Sequence, residues 1–423
     1  MSNIELLAQR QQILGKAHLF YREPIQIVRG QGVLLYDQHD REYIDMYNNV
    51  PCVGHGNPAV VAAMQNQMAE LNVHSRYLHE GIVAFGQRLL SHHAEALNSI
   101  VFACSGTEAV EVALMTARHS TGGQGIICTD ATYHGNSTEI GKMSARPVTD
   151  PNFRSIPFPQ TYRPLADGAN EDELCNLYLK KVQEAIDDFA KQDIPLAGMI
   201  VCSILANEGL PDIPAGFMPK AAALVRAAGG LFIADEVQAG YCRSGHWWGY
   251  QSSGFKPDIA IMGKPMGNGL PLSAVAANSD LIAAFREKTG YFNTFASSPL
   301  QAAVGMAVLD VLEADNILEG ATRVGQYLHT ELEKMQTDCE AMAEVRGCGL
   351  FIGVEWVSDR RLKIADRKGA FDVANRMKQK GFLISNAGAL GNVVKIRPPL
   401  VFKMEHADLF LNAFAEMLTE IEK

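Results

Sequence analysis

The feature that most constrains what this chain can fold into is a pair of short apolar runs, Leu231-Phe232-Ile233-Ala234 and Ile259-Ala260-Ile261-Met262, each leading straight into a polar turn. Four consecutive apolar residues leave no polar face. Each run therefore reads as a strand buried on both sides, the environment of a parallel sheet covered by helices. Comparable runs lie at residues 99–103, 126–129, 196–205 and 272–277, with helical patterns between them. Strand and helix in alternation predict an α/β fold with a mostly parallel central sheet and helices on both faces. A chain of 423 residues is too long for one ordinary core, so a smaller α+β domain is expected beside the large one. The expected division is an N-terminal segment, 1–60, packed with the small domain; a large domain, 61–300; and the small domain proper, 301–423. Within the first segment, residues 1 to about 20 read as an amphipathic helix and 27–44 as a meander of short strands. Residues 145–170, rich in Pro, Arg, Asn and Asp, read as an irregular surface excursion.

In an open parallel sheet the ligand crevice lies outside the carboxyl ends of the strands. The first run delivers Asp235, Glu236, Val237 and Gln238 to that edge, and the second delivers Lys264 inside a Gly/Pro turn. A carboxylate and a lysine so placed are what pyridoxal 5'-phosphate chemistry needs. The amine holds the aldehyde as a Schiff base and later moves a proton, while the carboxylate keeps the pyridine nitrogen protonated. Taken alone, the two residues read more readily as an acid capping a turn and a surface lysine beside a Gly loop. The wording around them is more specific. IADEVQAGYCRSG followed by PDIAIMGKPMGNG resembles the class III aminotransferases, fold type I pyridoxal phosphate enzymes in which Asp-Glu-Val-Gln, Gly-x-x-Arg-x-Gly and the Schiff-base lysine occur in this order. The resemblance implies Lys264 as that lysine and Asp235 as the pyridinium partner, both catalytic. It also implies Val237 under the ring and Gln238 on its phenolic oxygen.

Other segments extend the resemblance over nearly the whole chain. Ser105-Gly106-Thr107-Glu108 follows the run at 99–103. Ser105 stands where an N-cap belongs, and exposed amides at a helix start suit a phosphate. The family's matching SGTEA implies that Ser105, Gly106 and Thr107 hold the cofactor phosphate, although Val110 stands where relatives usually have Asn. Tyr133, in Ala131-Thr132-Tyr133-His134-Gly135, is implied to stack on the ring face opposite Val237. Thr294, in a Thr-Phe-x-x-x-Pro turn, is implied to reach the phosphate of a neighbouring subunit, and with it a homodimer with shared active sites. Relatives usually carry two glycines in that turn, against Ala296, Ser297 and Ser298 here.

The substrate end departs most from the family. Cys202 occupies the place of the usual Glu in Glu-Pro-x-x-Gly-x-Gly-Gly, a carboxylate that in many members pairs with an arginine near the C-terminus, retained here as Arg397 in KIRPPL. Glu208 is an alternative partner. Without one, a buried guanidinium is costly, and a permanently anionic substrate would suit Arg397 better. Tyr47, Asn48 and Asn49 in DMYNNVP, and Arg76 in HSRYLHEG, are further candidate substrate contacts. Their ordinary alternatives are turn formers and a solvated arginine. NNVPCVGHGNP, SRYLHEGIV and GKPMGNGLP resemble the branch of phospho-lyases and aminophosphonate ammonia-lyases. That resemblance implies a lyase acting on a small primary amine with an anionic group, either a hydroxylated aminophosphonate or a phosphorylated amino alcohol, to give aldehyde and ammonia. An amine:2-oxo acid transaminase is the alternative. A non-catalytic regulator or cofactor carrier fits poorly with Lys264, Asp235 and the phosphate segments all being present.

A net charge of −10 and the lack of a basic run argue against a nucleic-acid partner. No apolar run is long enough to span a bilayer, and MSNIELLAQRQQILGK lacks a signal peptide's basic and apolar regions, so a cytoplasmic protein without a membrane partner is expected. The eight cysteines show no CxxC spacing and no zinc pattern; reduced thiols and no metal are expected.

Overall fold

The computed structural model describes residues 2–16 and 18–421. Three short strands come first, β1 (Ile27–Gln31), β2 (Leu34–Asp37) and β3 (Glu42–Asp45), in an antiparallel meander. A large sheet follows, built from β4 (Ser99–Ala103), β5 (Gly125–Thr129), β6 (Phe153–Ile156), β7 (Leu196–Cys202), β8 (Leu231–Asp235), β9 (Ile259–Met262) and β10 (Ser273–Ala277). The last part of the chain supplies β11 (Met342–Cys348), β12 (Phe351–Asp359), β13 (Ile364–Ala365), β14 (Phe382–Leu383), β15 (Ser385–Ala387) and β16 (Val393–Ile396).

The large sheet has the order β4-β10-β9-β8-β7-β5-β6. β9, β8, β7, β5 and β6 run parallel, and β10 is antiparallel to both β4 and β9. Every residue of β5, β7, β9 and β10 is buried, the pattern of a sheet covered on both faces. Alternate residues of one strand enter two different cores. Ile233 and Ile261 pack with Ala109 and Ala113 of the helix Gly106–Thr121, whereas Phe232 and Met262 belong with Val182 and Ala221 of the helices Glu171–Lys191 and Phe217–Ala227. Full burial of each large apolar side chain contributes about 1.5–3 kcal/mol. A one-residue slip would exchange the two cores, so register is firmly set. Asp235 and Ile261 are register partners, which fixes the strand ends carrying Asp235 and Lys264 side by side.

The helix Gly106–Thr121 starts where its sequence says it should. The Ser105 hydroxyl accepts from the Glu108 amide while the Glu108 carboxylate accepts from the Ser105 N–H, and the helix stops at Gly122 in the left-handed region (φ +72°).

Two expectations change. Residues 145–170 are not wholly irregular, because β6 adds to the sheet's edge in parallel with β5. Only its end residues, Phe153 and Ile156, are buried, with Arg154 and Ser155 between them, so it lacks the apolar run that marks the central strands. The N-terminal helix is Asn3–Leu14, shorter than expected; it is capped by Ser2, ends at Gly15 (φ +75°) and buries none of its residues.

The meander is completed from the other end of the chain. β3 pairs in parallel with β14, giving the order β1-β2-β3-β14. β11-β12-β16-β15 form a separate antiparallel sheet, with β13 on β12. Beyond β16 the backbone is laced onto the loop after β3: the Arg397 amide donates to the Met46 carbonyl and the Leu400 amide to the Cys52 carbonyl, each at 2.7 Å. All eight cysteines are free thiols. Among the described residues no helix is long and apolar enough to cross a membrane, and no cluster of side chains could hold a metal ion.

Candidate active site

The carboxyl ends of β7, β8 and β9 open on a cavity of about 220 Å³. Of the residues expected at the cofactor, Gly106, Thr107, Tyr133, Asp235, Val237, Gln238 and Lys264 line it. Asp235 is 5% exposed. Its Oδ2 lies 2.6 Å from His134 Nδ1, and its Oδ1 accepts from the Val237 amide at 3.0 Å. His134 is held in turn by Thr132 Oγ1, 2.6 Å from Nε2. The carboxylate thus has one orientation. Sequence reasoning missed His134, whose only signal was a polar side chain between Tyr133 and Gly135 at a strand end.

Val237 forms the floor. A Cβ on Gly106 or on Gly263 would stand 3.3 Å from a Val237 methyl, so both glycines allow the backbone to close on this side chain. Gly135 (φ +145°) has no room either, since its Cβ would meet Thr107 Oγ1 at 2.7 Å. Ser105 does not line the cavity. Its hydroxyl is committed to the helix cap, and the start of the helix reaches the cavity through Gly106 and Thr107. The Lys264 amine projects into the cleft. Burial lowers its pKa and the Arg397 guanidinium adds to this, against the Asp235 carboxylate, so the neutral nucleophilic form is favoured relative to a free lysine. The Tyr133 ring is half exposed at the mouth, and its carbonyl accepts from Asn207 Nδ2 at 3.1 Å.

Arg397 is 5% exposed. Its Nε donates to the Tyr47 carbonyl at 2.9 Å and its Nη1 to Gln238 Oε1 at 2.5 Å, with the guanidinium over the Tyr47 and Phe351 rings at 4.9 and 5.5 Å. No carboxylate forms an ion pair with it among the described residues, and burial lowers its pKa. Glu208 does not take the partner's place. Its Oε1 accepts from Thr129 Oγ1 at 2.6 Å, Oε2 is buried without a partner, and burial pushes its carboxyl up. Cys202 lines the cavity with a thiol that burial also pushes up. A second residue that sequence reasoning missed is Lys395, which donates to the Ala206 carbonyl at 2.9 Å and reaches Gln238 Oε1 at 3.5 Å. Its signal was position: it stands two residues before Arg397, near the end of β16.

Arg397 reaches the cavity through Gln238 and does not itself line it, and the other candidate substrate residues do not line it either. Tyr47 meets Arg397 but does not line the 220 Å³ cavity. Asn48 Nδ2 donates to Asp45 Oδ2 at 3.1 Å, and Asn49 is buried with Nδ2 unpartnered. Arg76 is exposed, its guanidinium 4.2 Å above the Phe292 ring. Thr294 lines a separate cavity of about 600 Å³ with His74, Cys104 and Phe295. Within one chain, neither Arg76 nor Thr294 borders the Lys264 cavity.

A mainly parallel sheet whose strand ends bring together a buried aspartate, a lysine and the start of a helix defines the fold type I enzymes that use pyridoxal 5'-phosphate. The residues fit that group: Val237 offers a floor on which Gly106 closes, Gly106 and Thr107 bring the start of a helix to the cavity, and Asp235 is buried and fixed at its edge. The chain belongs to the class III aminotransferases; the family profile described as Aminotransferase class-III matches residues 19–418. Members of this family depend on pyridoxal 5'-phosphate, and so does this enzyme. Among curated proteins it is similar to "Alanine–glyoxylate aminotransferase 2-like" of Drosophila melanogaster, 37% identical over all of this chain and 88% of that protein. It is likewise similar to "Ethanolamine-phosphate phospho-lyase homolog 1" of Caenorhabditis elegans, 32% identical over 99% of this chain and 94% of that one. Among solved structures, a phospholyase from Arthrobacter in complex with phosphoethanolamine superposes with a TM-score of 0.94 at 36% identity, covering 98% of this chain and 99% of its own.

Proposed function

We propose that the enzyme is a lyase acting on a small primary amine that bears a phosphate or phosphonate. The bond broken joins a leaving group to the carbon next to the amine-bearing one, and the products are an aldehyde and ammonia. The observation that carries this reading is Arg397, a buried guanidinium with no carboxylate partner among the described residues, beside a cavity where Cys202 stands and Glu208 is turned to Thr129. A switching carboxylate would let one site take first an amine and then an oxo acid. Arg397, lacking one, suits a single anion throughout.

Bound pyridoxal 5'-phosphate supplies an electron sink for the amine-bearing carbon. Asp235, fixed by His134 and the Val237 amide, keeps the ring nitrogen protonated. Lys264 Nζ takes the proton from the amine-bearing carbon. Val237 and Tyr133 would hold the ring, Gly106 and Thr107 would hold the phosphate with Ser105 as the helix cap, and Arg397, held by Tyr47, would orient the substrate anion. A phosphate or hydroxyl on the neighbouring carbon leaves with its bonding electron pair, and water converts the remainder to aldehyde and ammonia, so no oxo acid is consumed. The likenesses to a phospholyase and to a phospho-lyase homologue support this reading. The 37% likeness to an alanine–glyoxylate aminotransferase 2-like protein supports the second one, an amine:2-oxo acid transaminase.

The test is purified enzyme with phosphoethanolamine or a hydroxylated aminoethylphosphonate and no oxo acid. Ammonia release over many turnovers is expected, accompanied by phosphate when phosphate is the leaving group. One turnover followed by arrest, relieved by pyruvate, would establish the transaminase instead. Arg397→Ala is expected to lower kcat/KM on the anionic substrate about a hundredfold, the scale of losing a charge-assisted bidentate contact. Equal losses on a neutral amine would remove Arg397 from the substrate site.

We infer also a homodimer with shared sites. Thr294 stands outside its own chain's cavity, in an apolar patch that includes the exposed Phe295 and His74, whose ring stacks on the exposed Tyr77. Light scattering should give twice the 46.1 kDa chain mass; a fully active monomer would sink the idea.

A further inference from the structure

The basic group beside the cavity that the mechanism leaves unused is Lys395. It is 4% exposed, and no carboxylate pairs with it among the described residues. Lys395 lies in β16 and Arg397 just beyond its end, and both side chains reach Gln238 Oε1, Arg397 at 2.5 Å and Lys395 at 3.5 Å. The other end of that amide, Nε2, donates to Asn207 Oδ1 at 3.2 Å, and Asn207 Nδ2 donates to the Tyr133 carbonyl. Gln238 is therefore the junction between the anion-facing arginine and the loop over the ring. Burial, reinforced by Arg397, pushes the Lys395 ammonium well down. Charged or neutral, it remains an N–H donor.

We propose that Lys395 is a positioning residue that holds the Gln238 amide in one orientation, Oε1 toward the two basic groups and Nε2 toward the cavity, and keeps hold of Oε1 when a substrate anion draws Arg397 away. An amide presents an acceptor at one end and donors at the other, and two N–H donors on one side admit only its oxygen there. The Arg397 Nε is committed to Tyr47, so an incoming phosphate competes with Gln238 for the terminal nitrogens of the guanidinium. Without Lys395, Gln238 would lose its last donor as substrate engages, and the Asn207 and Tyr133 contacts would loosen with it. This inference rests on Arg397 meeting the substrate anion, as proposed above.

The first readout is the absorption spectrum of the pyridoxal-phosphate-loaded protein at fixed pH, with and without inorganic phosphate. The spectrum of the unaltered enzyme is expected to be insensitive to phosphate, that of Lys395→Met to shift, and that of Lys395→Arg to behave as the unaltered enzyme. The second is a double-mutant cycle in turnover. Lys395→Met should lower kcat about tenfold with little change in KM, and should add nothing to Gln238→Leu, since contacts acting through one residue are not additive. Fully additive losses, or a phosphate-insensitive Lys395→Met spectrum, would overturn the proposal. Should Lys395→Met not fold, Lys395→Gln keeps a donor near Ala206 and must show the same non-additivity. Calorimetry with phosphate separates the two readings. Equal phosphate affinity in the unaltered enzyme and Arg397→Ala would remove the anion from Arg397 and the hand-over with it, whereas additivity with phosphate binding intact removes only the role of Lys395.

Discussion

Lys264→Ala is expected to lower turnover at least about 10⁴-fold and to abolish the visible absorption band of the lysine-bound cofactor. The size follows from two losses at one atom: the covalent attachment that readies the cofactor for exchange with substrate, and the base that moves the proton. No other group replaces it. The other lysine beside the site, Lys395, is held by the Ala206 carbonyl and does not line the cavity. Lys264→Arg should be nearly as poor, because a guanidinium keeps its proton and cannot act as the base. Cofactor affinity should fall far less, since Val237, Gly106 and Thr107 are untouched. Turnover within tenfold of the unaltered enzyme, with the band gone, would move the proton transfer to another residue; loss of the band with no turnover to begin with would favour a cofactor carrier.

Asp235→Asn is expected to keep cofactor and fold but to lose about 10²–10³-fold in turnover. The amide matches the carboxylate in shape, its oxygen can still accept from the Val237 amide while its Nδ2 donates to His134 Nδ1, and so the geometry stays in place. What it removes is the negative charge opposite the ring nitrogen, in a buried setting where electrostatic stabilisation is strong. His134→Ala should cost less, about tenfold, because the carboxylate stays and loses only its fixed orientation. Steady-state rates together with an isotope effect on the abstracted proton would separate the two, as only Asp235→Asn should make that proton transfer fully rate-limiting. Near-normal turnover in Asp235→Asn would refute its assignment.

What could be read from the sequence divides along a physical line. Asp235 and Lys264 were legible because each follows an apolar run, and burial on both faces forces such runs into the middle of a sheet. Ser105 was legible because the capping box is local, with Glu108 three residues on. Contacts set by strand order were not legible. Glu208 meets Thr129 because β5 lies next to β7, and His134 meets Asp235 across the same neighbourhood. Nothing within either segment announces its neighbour. β6 escaped notice because an edge strand of four residues needs no apolar run, and β14, two residues long, carries no pattern at all. Lys395 was hidden by its own partner, since an arginine two positions away accounts for a basic strand end without it.

The sheet shared by β3 and β14 bears on how the enzyme comes into being. Asp235, Lys264 and the helix that starts at Gly106 are all complete before the last third of the chain has been made. The pocket around Arg397 is not, because it joins Tyr47 and Met46 near the first strands to a residue close to the chain's end. A ribosome-bound chain lacking its final segment would carry Lys264 without the pocket around Arg397. On the function proposed above, selectivity is the last property this protein acquires, because Arg397 and Leu400, which close the pocket onto Met46 and Cys52, are made after β14.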